Sequence, residues 1–252
     1  TTLGMPNAAC APAVISAIDQ AVTLARSGAA SGMVTNPIYK AGLRSAGFAF
    51  PGHTEYLGHL AGSEDAVMML AVDGLRVVPV TVHVAIRDIA QTLTTKAIVR
   101  SGMIVASALK ADFGINHPRL AVAALNPHGG EKGGMGDEES RIIVPAVDLL
   151  QRQGVDAEGP FPADTLFHAG ARRRFDAALC MYHDQALIPL KTIDFAGGVN
   201  VTLGLPFVRT SPDHGTAFDI ANKGIADPTS LLAAVRMAGA IAARRTLPPA
   251  KT

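Results

Sequence analysis

The sequence predicts an α/β fold with a mainly parallel central sheet. Three observations carry that expectation. Short apolar runs of strand length recur at 67–72, 77–82, 119–125 and 176–181. Segments with helical spacing lie around and between them, at about 13–27, 88–111, 137–153 and 228–244. The strand-like runs are apolar throughout rather than alternating, as in strands covered by helices on both faces. Ligands of such sheets gather beyond the carboxyl ends of the strands. Polar residues that follow an apolar run are therefore the first candidates for chemistry.

Each element has its own local signal. Val14, Ile15, Ile18, Val22 and Ala25 fall on one helical face. Pro51-Gly52 marks a turn, and His53-Thr54 leads from it into a helix. Asp88 is a plausible N-cap for the segment 88–111. Asp137-Glu138-Glu139 opens the segment 137–153, where acidic side chains suit the helix dipole. Pro228 lies near the start of the last helix, with Asp227 or Thr229 as its cap. The closing "RRTLPPAKT" reads as a frayed tail. The chain has no internal repeat, low-complexity stretch or linker.

At 252 residues the chain makes one large or two small domains. Hydrophobic residues make up 48% and charged residues 17%, enough for a sizeable core. The net charge is +1, and the densest basic cluster is only Arg172-Arg173-Arg174, so no nucleic-acid footprint is present. Aromatics are 5% and Trp is absent, which argues against a base-stacking platform. Two cysteines are too few for a disulfide framework. Cys180 sits in an apolar run as a small core residue, and Cys10 has no neighbouring base. A reduced, cytoplasmic setting is expected. No run reaches ~18 uninterrupted apolar residues, so no membrane span is expected, and no signal-peptide pattern opens the chain. The first residue is Thr1 rather than Met, which leaves an upstream segment as an expectation.

Three histidines share one context. His83 follows "VVPVTV", His128 follows "LAVAALNP" and His183 follows "AALCMY". A folded sheet could bring these strand ends together, and three imidazoles with open positions suit a catalytic divalent metal. Asp184 and Asp164 could orient such ligands. The alternative is three separate histidines bonded to backbone or water. In "FPGHTEYL", His53 and Thr54 enter a helix at a place suited to an anion; the alternative is Thr54 as a cap with His53 on the surface. Lys191, Asn200 and Arg209 recur at intervals of nine and could hold a phosphate or carboxylate, or be solvated separately. Pro212-Asp213-His214-Gly215 forms a loop, and Thr216-Ala217 opens a short helical segment. Gly215 would let the backbone approach a ligand closely. "GGEKGGMG" matches neither the dinucleotide nor the Walker pattern, and no G-x-S-x-G elbow occurs.

Five motifs in order carry a family resemblance: "TNPIYKAGLRSAGFAFPGHTEYL", "LNPHGGEKGGMGDEE", "GPFPADTLF", "MYHDQALIPLK" and "GGVNVTLGLPFVRTSPDHGTAFDIA". They resemble the 4-hydroxythreonine-4-phosphate dehydrogenase family of pyridoxal phosphate biosynthesis, from about residue 4 to about residue 244. The resemblance implies an isocitrate/isopropylmalate dehydrogenase-like fold, with two interleaved α/β subdomains around a cleft. It also implies a homodimer with a shared active site, and a further N-terminal segment carrying a Gly/Pro-rich motif and a central strand. If that segment is truly absent, the expected protein is unstable or inactive.

On this resemblance, His83, His128 and His183 are the ligands of a divalent zinc, magnesium or cobalt ion, drawn from both subunits. His53, Thr54, Lys191, Asn200 and Arg209 match the substrate contacts. Lys191, Asp184 and Asp164 are the candidates for catalysis, with Lys191 or Asp184 moving the hydroxyl proton. The loop bearing His214, Gly215, Thr216, Asp219 and Asn222 is implied to bind part of NAD or NADP. Asn222 stands where the family pattern suggests glycine, and Asn tolerates a left-handed C-cap conformation. The implied reaction is oxidation of 4-phosphooxy-L-threonine to its 3-oxo acid, then decarboxylation to 3-amino-2-oxopropyl phosphate. The alternative is a paralogue that oxidises a phosphorylated sugar acid such as 4-phosphoerythronate or 4-phosphothreonate. Neither nucleic acid nor membrane is an expected partner.

Overall fold

A computed structural model describes residues 4–5, 7–63 and 65–246. The chain divides into two compact units, one of Thr1–Ala66 with Ala196–Thr252 and one of Val67–Phe195. Eight strands are present among the described residues: β1 (Met33–Val34), β2 (Val67–Val72), β3 (Leu75–Pro79), β4 (Arg119–Ala123), β5 (Asp156–Phe161), β6 (Ala177–Cys180), β7 (Val199–Leu203) and β8 (Arg209–Pro212).

In the unit Val67–Phe195 the strand order is β2-β3-β6-β4-β5. The strands from β3 to β5 run parallel, and β2 pairs antiparallel with β3. The interior strands are buried along their length, through Val77, Val78, Leu120, Val122, Ala178 and Leu179. Helix His183–Ile193 packs on β2, β3 and β6, and its Ala186, Leu187 and Leu190 join Leu70, Val77 and Cys180 in one core. Burial pushes the Cys180 thiol well up, so it packs as an inert core side chain. Helix Thr95–Ala111 and helix Val144–Arg152 cross closely at Gly102. A Cβ there would lie 2.7 Å from Leu150 Cδ2, so a larger residue would push the Leu150 side chain aside.

Two helices differ from expectation. The segment 88–111 is not one helix capped by Asp88. It resolves into Ile86–Asp88, Ile89–Thr92 and Thr95–Ala111. Thr94 is extended, and its hydroxyl accepts the Ala97 N–H at 3.2 Å, so it caps the long helix. The segment 137–153 begins as a wide π-turn at Glu139–Ile143 before Val144–Arg152. Pro145 has no N–H to close the ordinary bond to the turn before it. The tail from residue 247 lies outside the described residues.

In the other unit β1 and β8 run parallel, and β7 and β8 antiparallel. Helix Thr229–Thr246 packs against all three strands, and Ala234, Ala238 and Ile241 are its buried residues. Asp227 accepts the Thr229 N–H at 2.9 Å, as a cap should. Helices Ala11–Arg26 and His53–Ala61 share a core of Ile18, Val22, Tyr56 and Leu57 with Met33, Leu205 and Phe207. The stretch Ala8–Arg26 has the length and hydropathy of a membrane span, 19 residues at a mean of 1.5. Its Asp19 nonetheless accepts the Tyr56 hydroxyl at 2.5 Å. Burial, then that bond, pushes the Tyr56 phenol up to about 12. Tyr56→Phe is expected to cost about 1.5 kcal/mol, typical of a bond to a charged acceptor. Urea denaturation of the variant checks this, and an unchanged midpoint would remove the Asp19 bond as a stabilising link.

Candidate active site

Parallel strands share one carboxyl edge. Because β3, β6, β4 and β5 are mutually parallel neighbours, the loops after them emerge on the same side of their unit. His83 follows β3, His128 follows β4, Asp164 follows β5, and His183 and Asp184 follow β6. The chain therefore places all five on one edge, as expected for the chemistry of a parallel sheet.

His183 opens helix His183–Ile193, and its Nδ1 lies 2.7 Å from Asp184 Oδ1. Such a carboxylate fixes the imidazole tautomer and leaves Nε2 to face a ligand. The His83 and His183 rings have centroids 6.4 Å apart. Among the described residues no three His, Cys, Asp or Glu side chains converge as one metal-holding group. The structure thus brings two of the three imidazoles near each other and does not bring His128 into a single cluster with them. Two imidazoles, one oriented by a carboxylate, fit a divalent cation that takes further ligands from elsewhere. Lys191 lies in the last turn of the same helix, about 12 Å of helix rise from His183. Its Nζ sits 5.1 Å from the Phe195 ring centroid.

Buried polar side chains hold these loops. Gln185 Oε1 accepts the Met181 N–H at 2.7 Å, and its Nε2 donates to Ala124 O at 2.7 Å. One amide therefore ties the end of β6 to the end of β4. Glu139 Oε1 accepts the backbone N–H groups of Leu125 at 2.9 Å and Asn126 at 2.7 Å. Its Oε2 accepts from Asn126 Nδ2 at 3.0 Å. The loop so held turns the wrong way for L-residues: His128, Gly129, Gly130, Glu131 and Lys132 all have positive φ, from 43 to 74°. At Gly130 a Cβ would lie 2.5 Å from Glu139 Oε2, so glycine is required there.

The other unit gathers Arg209, Lys40 and His53, with the Glu55 carboxylate acting on Arg209. Gly52 occupies the N-cap position of helix His53–Ala61 and has no side chain to cap it, so Thr54 is not the cap. His53 is half-buried rather than on the surface. Burial, Arg209 and Lys40 together lower its pKa to about 4. Arg209 is 3% exposed, and its guanidinium donates to Thr202 Oγ1 at 2.9 Å and Thr35 Oγ1 at 2.8 Å. Burial lowers it to about 10, which leaves it a cation at neutral pH. Arg209 Nε and Asn200 Oδ1 are buried without a hydrogen-bond partner. A buried cation with an open donor, beside an uncapped helix start, is chemically an anion site.

The His53 shift has a pH consequence. Its folded value lies below its ordinary 6.5, so the unfolded chain takes the proton first as pH falls. The His53 contribution to stability is complete above about pH 6.5 and is lost between 6.5 and about 4. The loss is on the order of 3 kcal/mol. Denaturation midpoints of wild type and His53→Asn are expected to converge across that window; parallel curves would refute the assignment.

The loop after β8 is open. His214, Gly215, Asp219 and Asn222 are exposed, and a Cβ on Gly215 would meet nothing within 4 Å. Thr216 is half-buried, Ala217 has φ 47°, and the short helical segment is Phe218–Ile220. Asn222 has φ 63°, the left-handed conformation expected of it. An exposed loop of this kind leaves room for the backbone to lie against a cofactor.

A sequence model of the family described as "Pyridoxal phosphate biosynthetic protein PdxA" matches residues 1–238. The chain belongs to the PdxA family. A 4-hydroxythreonine-4-phosphate dehydrogenase from Paracoccus denitrificans is 60% identical over 247 residues, covering 96% of this chain and 77% of the relative. A protein of the same name from Caulobacter vibrioides is 59% identical over 248 residues, covering 96% and 74%. The crystal structure of 4-hydroxythreonine-4-phosphate dehydrogenase from Klebsiella pneumoniae superposes with a TM-score of 0.87 at 42% identity, covering 95% of this chain and 73% of the other. The α/β class expected from the strand runs is therefore the class of the family.

Lys40, Thr35 and Thr202 were not singled out by the sequence, although all three lie inside motifs that carry the family resemblance. Glu139 and Gln185 escaped as well. Their role is internal bonding, which leaves no periodicity to read.

Proposed function

We propose that the protein is a 4-hydroxythreonine-4-phosphate dehydrogenase. The reaction is NAD- or NADP-dependent oxidation of the C3 hydroxyl of 4-phosphooxy-L-threonine to the 3-oxo acid, which loses carbon dioxide to give 3-amino-2-oxopropyl phosphate. The observation that carries this reading is Arg209, a buried cation whose partners among the described residues are hydroxyls. A phosphorylated substrate supplies an anionic acceptor for the open Arg209 Nε.

Arg209, His53, Thr54, Asn200 and Lys191 bind the substrate in this reading. His53 is neutral at working pH, so it can donate one hydrogen bond to phosphate without adding charge. Asn200 Oδ1 accepts from the substrate's amine or hydroxyl. His83, His128 and His183 hold a divalent zinc, magnesium or cobalt ion within a homodimer that shares its active sites. When bound, that ion lowers the pKa of the substrate hydroxyl and stabilises negative charge on the carbonyl that forms. Asp184 orients His183, and Lys191 or Asp184 takes the hydroxyl proton, with Asp164 beside them as a further carboxylate. His214, Gly215, Thr216, Asp219 and Asn222 receive part of the dinucleotide. The fold is of the isocitrate/isopropylmalate dehydrogenase type, with two interleaved α/β subdomains, and the enzyme works in the cytoplasm.

NADH formation with 4-phosphooxy-L-threonine tests this, using chelated and metal-restored protein with 4-phosphoerythronate in parallel. The expected result is turnover of the amino acid that vanishes with chelator and returns with metal. Turnover of the sugar acid alone would overturn the substrate assignment.

A further inference from the structure

The surroundings of Arg209 follow from the strand register. Val201 pairs with Thr210 and Asn200 with Ser211 across β7 and β8, which sets Thr202 opposite Arg209. On the other side Met33 pairs with Arg209, and the Thr35 N–H donates to Thr210 O at 3.1 Å. Arg209 is thus flanked by two buried threonines, Thr202 on β7 and Thr35 just after β1, and each hydroxyl accepts one of its terminal N–H groups. Strand alternation places Asn200 on the same face as Thr202. The two orphaned polar atoms, Arg209 Nε and Asn200 Oδ1, belong to this one face.

The chemistry of the partners is informative. The Glu55 carboxylate acts on Arg209 through space, and the side chains that hydrogen-bond its terminal nitrogens are both neutral hydroxyls. A hydroxyl fixes direction and leaves the charge intact. The hydroxyls can turn their own protons elsewhere, so the guanidinium plane is set by two neutral acceptors while its third edge stays open. That edge asks for an anionic oxygen, and Asn200 asks for a donor beside it. A phosphate ester with a neighbouring hydroxyl or ammonium supplies both.

We propose that Thr35 and Thr202 are positioning residues that hold the Arg209 guanidinium in a fixed plane, with its open Nε edge directed at the substrate phosphate. The proposal rests on the reading of Arg209 as the phosphate contact. Valine matches threonine in shape and removes the hydroxyl, the acceptor for Arg209 together with its own O–H, so Thr35→Val, Thr202→Val and the double variant are the tests.

Binding of inorganic phosphate by calorimetry and steady-state turnover of 4-phosphooxy-L-threonine are both measured on the metal-loaded protein. Each single variant is expected to weaken phosphate binding and raise KM several-fold, and the double variant about tenfold, with kcat within about twofold. Thr35→Ser and Thr202→Ser are expected to restore both. A merely structural role would lower the melting temperature without moving KM apart from kcat. Should the double variant fail to fold, the singles and their serine counterparts carry the comparison. Wild-type phosphate affinity and KM in folded valine variants would overturn the proposal while leaving the phosphate site in place. Wild-type protein that neither binds phosphate nor turns over would overturn the underlying reading, and the proposal with it.

Discussion

Glu139→Leu is expected to destabilise the protein by about 3 kcal/mol, and to open the glycine loop after β4 to protease before the rest of the chain unfolds. Glu139 is 6% exposed, and its carboxyl group accepts two backbone N–H groups and the Asn126 amide. Leucine fills the space and accepts nothing, so the Leu125 and Asn126 backbone N–H groups lose their acceptor at about 1–3 kcal/mol each, while the Asn126 amide keeps its 2.7 Å bond to Glu138 Oε2. The loop they belong to has its own cost to meet. His128, Glu131 and Lys132 are L-residues with φ of 53, 43 and 56°, a conformation about 1–2 kcal/mol per residue less favourable than the right-handed one. Such backbone persists only where its surroundings fix it. Without the clamp the loop is expected to relax, and His128 with it. Urea denaturation gives the stability change, and limited proteolysis with mapping of cuts in 128–136 gives the local opening. A variant within about 1 kcal/mol of wild type and uncut in that window would show that the loop holds itself. In the functional reading, the same variant binds its divalent metal more weakly, because His128 rides on this loop.

Glu139 also shows where sequence reasoning reaches and where it stops. Asp137-Glu138-Glu139 reads as an acidic first helical turn, and the helical segment is there. Nothing in the spacing says that the third carboxylate turns inward. The strand runs at 67–72, 119–125 and 176–181 were legible because β2, β4 and β6 are apolar and covered. Strand β8 was not, since Arg-Thr-Ser-Pro has no apolar residue to announce it, yet all four residues are buried. Their polarity is absorbed internally: Thr210 Oγ1 donates to Ala234 O at 2.8 Å, and Arg209 bonds to two threonines. Strand β5 carries Asp156, Glu158 and Gly159-Pro160 at the end of its strand order, where one side is unpaired and hydropathy has little to enforce. The three histidines were legible as strand-end residues, and the parallel register puts them on one edge. Their convergence was not derivable from spacing, and within one chain His128 does not join the other two in a single cluster among the described residues.

Gln185→Leu is the second large effect, at about 3 kcal/mol of stability. Gln185 is 8% exposed and bridges two strand ends, accepting from Met181 N–H and donating to Ala124 O, both at 2.7 Å. Leucine leaves a buried donor and a buried acceptor unpaired, and each costs about 1–3 kcal/mol. A second substitution isolates the bridge from the packing. In Gln185→Glu the carboxyl group can still accept from Met181, but it can donate to Ala124 O only when protonated. The folded state then favours the protonated form and raises the pKa of the new group above its unfolded value of about 4.3. Its stabilising contribution is present below that unfolded value and is lost as pH rises through the folded one. Gln185→Glu is therefore expected to approach wild type on acidification while Gln185→Leu does not. Denaturation midpoints of the two variants against pH, each referred to wild type, decide it. Equal losses with equal pH dependence would mean that Gln185 acts by volume alone, and that the turns bearing His183 and His128 are not joined through its amide.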